Sequence, residues 1–428
     1  MLYRRIALAL ALSSIAVTAH AEASLPMAGK PEDVGLSSTQ LKRLEAVMKA
    51  DIDKGYVPGA IMLVARRGKI AWSSVQGKLD GQNGGKTDAA MKMDSIFRIY
   101  SMTKPIVSVA IMQMVEEGKL QVSDPVGKYL PELANMKVGV EKTGADGKTY
   151  LDYVTPASPM TVQDLLRHTS GLTYGSRGKD PVRQAYVTGK IGDRGFTNAE
   201  FTANLGKTPL LFAPGERWEY SVSVDVLGRL LEVLSDGKPL ADILAERVTG
   251  PLGMVDTAFW IPQDKMARAA QPMLRPNGPP LRFFFDVAER AKFQGGGGSM
   301  VGTTEDYLRF SMMLANGGEF QGKRLLSRKT VEFMTADHVG ARPGRPPGLG
   351  FGLGFEVRTK AGEAGLPGSV GEYGWSGAAG TMFWIDPKEQ LIGLFMVQAN
   401  DVSVGGSEPD TRFLRNQFRT MVQSAIID

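Results

Sequence analysis

Apolar residues fall into two regimes along this chain. From Ser38 to Ile52, Leu41, Leu44, Val47, Met48 and Ile52 recur at helical spacing, the stripe of a helix with one face on a core. Ala60 to Ala65 is an unbroken apolar run, Arg67-Gly68 supplies a turn and Ile70 to Val75 resumes, which predicts a β-hairpin. The far end mirrors this. Thr381 to Ile385 and Leu391 to Val397 flank a turn at Asp386-Pro387-Lys388-Glu389, and a last amphipathic helix carries Leu414, Phe418, Met421, Val422 and Ala425 on one face. Between these ends, residues from about 96 to 295 read mostly as helices and loops. A period-2 pattern at both termini around a helical middle predicts an α/β (α+β) architecture. One antiparallel sheet is built from both ends of the chain, flanked by helices, with a mostly helical domain inserted. The expected boundaries are 22–95 and 296–428 for the sheet domain and 96–295 for the helical one, with the active site between them.

Within the middle, Ile106 to Val115 is apolar on nearly every face and is closed by Glu116-Glu117-Gly118. A helix apolar all round is a core helix, and Gly118 suits its C-terminal end. Pro105 confines the helix start to within a few residues, since proline is tolerated only in the first turn. Lys104 pulls against that start, because a residue before proline is biased away from helical angles. Residues 134–160 hold a turn cluster, Thr143 to Lys148, between short strand-like pieces, and read as a surface excursion. The run Gly295 to Gly298 reads as a flexible joint rather than a phosphate cradle, for it follows no clear strand and lacks the Lys-Ser/Thr of a nucleotide loop. Thr303 to Asp306 opens a helix over Tyr307–Ala315 that Asn316-Gly317-Gly318 ends. No internal repeat is visible.

Composition narrows the function. With 428 residues, 43% hydrophobic and 22% charged, the chain can bury a large core. It has no cysteine, which excludes disulfides, thiolate zinc sites and a cysteine nucleophile. Arg4 and Arg5, the apolar run Ile6 to Val17 and the small-x-small site Ala19-His20-Ala21 predict a cleavable secretory signal over 1–21. The expected location is periplasmic or secreted, with no stable membrane anchor. Loss of that segment takes the formal charge from +5 to +3. No basic run is interleaved with aromatics, which disfavours nucleic acid as a partner. Only His168 and His338 remain after the signal, too few for a histidine-built metal site, so neither metal nor cofactor is expected. The pattern says nothing about oligomeric state.

Candidate chemistry begins at Ser101-Met102-Thr103-Lys104. Positions three apart share a helix face, so the Ser101 hydroxyl and the Lys104 amine can meet. A buried lysine can serve as the base that an alcohol nucleophile needs. Ser101 would also stand at the positive end of a buried helix, where N–H groups stabilise an oxyanion. The bland alternative is a serine N-cap and a lysine that snorkels to solvent. Two further elements follow in order. Tyr220-Ser221-Val222 comes after the turn Ala213-Pro214-Gly215-Glu216 and before a helix with Val226, Leu230 and Leu231. Trp375-Ser376-Gly377 leads into the strand at 381.

In this order and spacing the chain resembles the serine β-lactamase and DD-peptidase superfamily, on its class C-like side, and is similar to the family VIII carboxylesterases. The resemblance covers most of the mature chain, including His168-Thr169-Ser170-Gly171-Leu172, the glycine run and Gly350 to Phe355. It implies a β-lactamase-like fold, Ser101 as nucleophile, Lys104 as its helper and Tyr220 as the proton relay. It also implies an oxyanion hole from the N–H groups of Ser101 and Ala378, and substrate contacts from Tyr100, Val222, Trp375, Ser376 and Gly377.

Departures from the family pattern shape the expected substrate. The second motif has Val222 where many members have asparagine, and the third has Trp375 where they have lysine. The missing groups bind a substrate amide and carboxylate, by charge-assisted hydrogen bonds worth roughly 1.5–3 kcal/mol each. An apolar wall at Trp375 suits an acyl or alcohol group. The expectation is therefore hydrolysis of short-chain carboxylic esters, with weak cephalosporin hydrolysis as a side activity. The alternatives are a β-lactamase or D-Ala-D-Ala carboxypeptidase, or a penicillin-binding sensor that acylates without turnover. Gly374-Trp375-Ser376-Gly377-Ala378 offers a rival nucleophile in Ser376. It ends in alanine, leads into a strand, and both histidines precede it, so a Ser-His triad has poor support. His168 reads as a packing or capping residue near a helix end, and His338 as a surface loop residue.

Overall fold

Every residue of the strand Gly59–Arg66 is buried, so its near-continuous apolar sequence serves two faces, not one. Ile61, Leu63 and Ala65 belong to the main core, while Ala60, Met62 and Val64 belong to a second one, as the two-residue repeat of a strand requires. The computed structural model describes residues 24–81, 89–272, 284–399 and 411–428. The expected signal over 1–21 lies outside them.

In chain order the first elements are α1 (Ser38–Asp53), β1 (Gly59–Arg66), β2 (Lys69–Gly77), β3 (Phe97–Arg98) and α2 (Thr103–Glu116). Then come β4 (Val138–Thr143), β5 (Thr149–Val154), α3 (Val162–Leu166), α4 (Pro181–Thr188), α5 (Asn198–Leu205), α6 (Ser223–Val233) and α7 (Leu240–Leu244). The last part holds β6 (Val301–Gly302), α8 (Thr304–Ala315), β7 (Glu319–Phe320), β8 (Lys323–Arg324) and α9 (Arg328–Met334). It closes with β9 (Leu349–Phe351), β10 (Glu356–Arg358), β11 (Tyr373–Ser376), β12 (Met382–Asp386), β13 (Leu391–Val397) and α10 (Thr411–Gln423).

A seven-stranded sheet runs in the order β2-β1-β13-β12-β11-β10-β9, and each neighbouring pair is antiparallel. The two termini meet at the β1–β13 pair, where Ala60 faces Val397 and Leu63 faces Leu394. Leu41, Leu44 and Met48 of α1 join Leu414 and Phe418 of α10 on one face of this sheet. Residues of α2, α6 and α8 fill the other. The apolar runs at β1 and β13 are continuous rather than strictly alternating because helices cover both faces of the sheet there.

The fold positions the site through two short contacts. β3 pairs with β6, and Ile99 donates its N–H to Met300 at 3.1 Å, which sets the glycine run beside the start of α2. Gly377 lies against Ile99, where an added Cβ would stand 2.6 Å from the Ile99 carbonyl oxygen. That approach brings the end of β11 to the residue pair before Ser101. The β4–β5 hairpin is the expected surface excursion. Among the described residues no helix is long and apolar enough to cross a membrane.

Candidate active site

Ser101 lies in a single 3-10 turn, Tyr100–Met102, that runs directly into α2. Lys104 is helical despite the proline that follows it. One turn separates the two side chains, and Lys104 Nζ donates to Ser101 Oγ at 3.3 Å. The snorkelling alternative does not occur, for Lys104 is only 1% exposed. Its ammonium also donates to the Gly297 carbonyl at 2.5 Å and to Tyr174 Oη at 3.2 Å. A carbonyl can only accept, whereas both hydroxyls can donate or accept.

Gly297 is fixed from its other side by Asp225, whose carboxylate accepts the Gly297 N–H at 2.8 Å. Burial raises the Asp225 pKa, and Lys104 partly offsets it. An added Cβ on Gly297 would stand 2.2 Å from Asp225 Oδ2, and one on Gly296 would stand 2.5 Å from the Val224 carbonyl. The run at 295–298 is thus no flexible joint. It is a packed cradle in which glycine at 296 and 297 lets the backbone approach α6 and reach Lys104.

Tyr220 Oη donates to Ser101 Oγ at 2.5 Å, from an extended segment that leads into α6. Lys104 Nζ sits 4.5 Å from the Tyr220 ring centre and the Arg177 guanidinium 5.8 Å from it, a cationic setting for this phenol. A second tyrosine, Tyr174, shares Lys104, but burial, followed by Tyr220 and Asp225, pushes its pKa well above the ordinary phenol range. Tyr174 therefore keeps its proton at neutral pH. Sequence reading missed both Tyr174 and Asp225. Asp225 did leave a signal, a lone carboxylate inside the apolar stretch Val222 to Leu231.

Trp375 packs 5.4 Å from Tyr220 and 5.2 Å from Phe351, ring centre to ring centre. Trp218 and Val339 complete this aromatic wall. Beyond it a cleft of about 640 Å³ passes Ser376 and reaches Arg415 on α10. Ser376 ends β11 opposite Met382, and Gly377 and Ala378 begin the turn that follows. Two expected substrate contacts lie mainly in the core. Val222 is 3% exposed and packs in the main core. Tyr100, 8% exposed with φ +42°, holds its ring edge-on to Phe284 and Phe285. Both leave a substrate little surface, because each flanks a helix start that must close on the core.

The histidines bond groups other than Ser376. His168 follows α3 and is fully buried, with Nδ1 3.1 Å from Ser221 Oγ. His338 is half-buried rather than on the surface as expected. Its ring is held between the Gln163 amide at 3.1 Å and the Phe333 carbonyl at 2.7 Å. Among the described residues neither bonds Ser376.

Residues 44–415 match the Beta-lactamase family. The chain belongs to that family. Its relatives include an uncharacterized protein of Mycobacterium tuberculosis, 35% identical over 382 residues, which are 84% of this chain and 90% of that one. Esterase EstB of Burkholderia gladioli is 32% identical over 396 residues, 87% of this chain and 94% of its own. Among solved structures, EstCE1, titled a hydrolase with promiscuous acyltransferase activity, aligns with a TM-score of 0.72 at 27% identity. It covers 90% of this chain and 98% of its own. The expected membership and β-lactamase-like fold hold, and the relatives support a serine hydrolase at the level of the family.

Proposed function

We propose that this protein is an exported serine esterase that cleaves short-chain carboxylic esters through an acyl-enzyme on Ser101. The observation that carries this reading is the convergence of Tyr220 Oη at 2.5 Å and Lys104 Nζ at 3.3 Å on one hydroxyl. In the proposed cycle Ser101 Oγ attacks the ester carbonyl carbon as its proton passes to the Lys104–Tyr220 pair. The N–H groups of Ser101 and Ala378 take the charge on the carbonyl oxygen. The ester C–O bond then breaks, the proton returns to the departing alkoxide, and Ser101 is left acylated. Water attacks the acyl carbon by the same route and releases the acid. Tyr220 rather than Tyr174 is assigned the relay because its hydroxyl bonds Ser101 Oγ, whereas Tyr174 Oη bonds Lys104.

Trp375 supports an ester over a carboxylated β-lactam, since it offers an aromatic wall where a lysine would anchor a carboxylate. Substrate would enter between segment 96–295 and the sheet-bearing segments 22–95 and 296–428, with Ser376 and Gly377 along its path. The names of EstB and of the lovastatin esterase of Penicillium rubens, 28% identical over 387 residues, favour the same class. Relatives named putative D-alanyl-D-alanine carboxypeptidase keep weak β-lactam or peptide turnover as the second reading.

The test is steady-state turnover by mature protein of a short-chain aryl ester, a cephalosporin and a D-Ala-D-Ala peptide. The ester should be preferred, Ser101→Ala should abolish its hydrolysis with the fold intact, and a fluorophosphonate should label Ser101. Label on Ser376, or better turnover of penicillins than of aryl esters, overturns the assignment.

A further inference from the structure

One buried polar chain beside the site has no role in the cycle above. Starting from a backbone donor, Leu172 N–H bonds Ser170 Oγ at 3.2 Å, Ser170 Oγ meets Ser223 Oγ at 2.7 Å, and Ser223 Oγ meets Ser221 Oγ at 2.7 Å. Ser221 Oγ then meets His168 Nδ1 at 3.1 Å. All four side chains are buried, so each hydroxyl hydrogen needs an acceptor within the chain. If every hydroxyl donates toward His168, each finds one, and the chain ends with Ser221 donating to a bare Nδ1. In the opposite direction His168 would donate to Ser221, and the Ser170 hydroxyl would be left without an acceptor in the chain. With both ring nitrogens counted, donation toward His168 leaves only the Nε2–H without a partner, whereas the reverse leaves both the Ser170 hydroxyl and a bare Nε2, so the chain favours the tautomer that carries its proton on Nε2.

That ring is set in the aromatic wall. Its centre is 4.9 Å from Tyr220, 5.4 Å from Phe351 and 6.0 Å from Trp218. Nε2 is buried without a hydrogen-bond partner. His168 also holds a left-handed backbone, φ +58°, unusual for a residue with a side chain. From it the carbonyl accepts the Glu219 N–H at 2.9 Å, one residue before Tyr220. Burial, reinforced by the cations Lys104, Arg345 and Arg177, drives the imidazole pKa well below its ordinary value. An imidazole kept neutral in this way adds no charge to Tyr220.

We propose that His168 is a positioning residue: the chain Ser170–Ser223–Ser221 locks it as the Nε2–H tautomer, and its ring and carbonyl hold Tyr220 against Ser101. The catalytic part of this inference rests on the esterase reading; the tautomer does not.

Two measurements on the full chain test it. With three histidines in the sequence, 15N-histidine labelling gives few signals, and a His338→Gln variant assigns one of them. His168 should show a protonated Nε2 and a bare Nδ1, unchanged from about pH 5 to about pH 9. Titration within that range, or a proton on Nδ1, overturns the tautomer. On an aryl ester, His168→Leu should lower kcat roughly ten- to a hundredfold with KM within about twofold, the size expected for a misplaced catalytic group. His168→Gln keeps an oxygen for the Ser221 hydroxyl and should recover most of that loss. Ser221→Ala should lower kcat in the same sense and change the His168 15N shifts, a readout that stands even if His168→Leu fails to fold. Wild-type kcat in both His168→Leu and Ser221→Ala overturns the positioning role. A wild type without ester turnover strikes the esterase reading and leaves the tautomer to the spectrum.

Discussion

Lys104 and Tyr220 reach the same oxygen atom from α2 and from the segment before α6, so they act on one proton path. Lys104→Ala and Tyr220→Phe should each lower kcat by at least about a hundredfold, the usual scale for loss of a general base. The double variant should fall little further, since either loss already breaks the path. Additive losses in kcat would mean two separate roles. Trp375 sets the other residue-scale expectation. Its ring contacts Tyr220 and Phe351, where a lysine would bring a cation to the cleft. Trp375→Lys should shift the kcat/KM ratio from aryl ester toward a carboxylated β-lactam by roughly ten- to a hundredfold, equivalent to one charge-assisted hydrogen bond. Equal loss of both activities would make Trp375 structural. Because Val222 is packed in the core, no companion change there is called for.

At the scale of elements, the cradle at 295–298 couples α6 to α2. Asp225 on α6 holds the N–H of Gly297, and Gly297 holds Lys104 through its carbonyl. Gly297→Ala would put a methyl carbon 2.2 Å from Asp225 Oδ2, so either the carboxylate or the glycine segment must shift. Destabilisation of about 1–3 kcal/mol is expected from such overpacking, read from the urea midpoint, together with a drop in kcat as the lysine loses its carbonyl. Unchanged stability and rate would show that the segment yields freely. Ser101-x-x-Lys104 was legible as a local spacing at a core-helix start, and Tyr220 through the order of motifs that carries the family resemblance. Gly297 was misread as a joint because its partner Lys104 lies 193 residues away in the chain, and a run of glycines looks the same whether it is loose or packed.

Across the whole molecule, buried carboxylates set the response to pH. Asp306, 4% exposed in the first turn of α8, accepts from the Asp256 N–H and the Thr257 hydroxyl at 2.8 Å each. Burial outweighs those bonds and raises its pKa from 3.8 to about 6. The folded state therefore binds the Asp306 proton more tightly than the unfolded state does. This contribution to stability is complete below the unfolded value and is lost as pH rises through about 6, a change of about 3 kcal/mol. Asp306→Asn keeps an oxygen for both donors and cannot ionise. Relative to this variant, wild type should lose about that much stability between about pH 4 and pH 7, measured by urea unfolding at several pH values. Parallel curves would show that Asp306 does not titrate in this range.

The sequence alone determined the terminal helices, the N-terminal hairpin, the core helix after Ser101 and the two-ended sheet, because apolar spacing is a property of neighbouring residues. Its spacing made Ser101 and Lys104 candidates, and the resemblance carried by the three motifs added Tyr220 and the role of each. What only the tertiary structure decided is how those groups are held. The cradle under Lys104, the protonated Tyr174 beside it, the hydroxyl chain to His168 and the burial of Tyr100 and Val222 all depend on contacts between distant segments. Local pattern reports which face of an element is apolar. It does not report which polar group the fold will carry into that face, or which partner will satisfy it there.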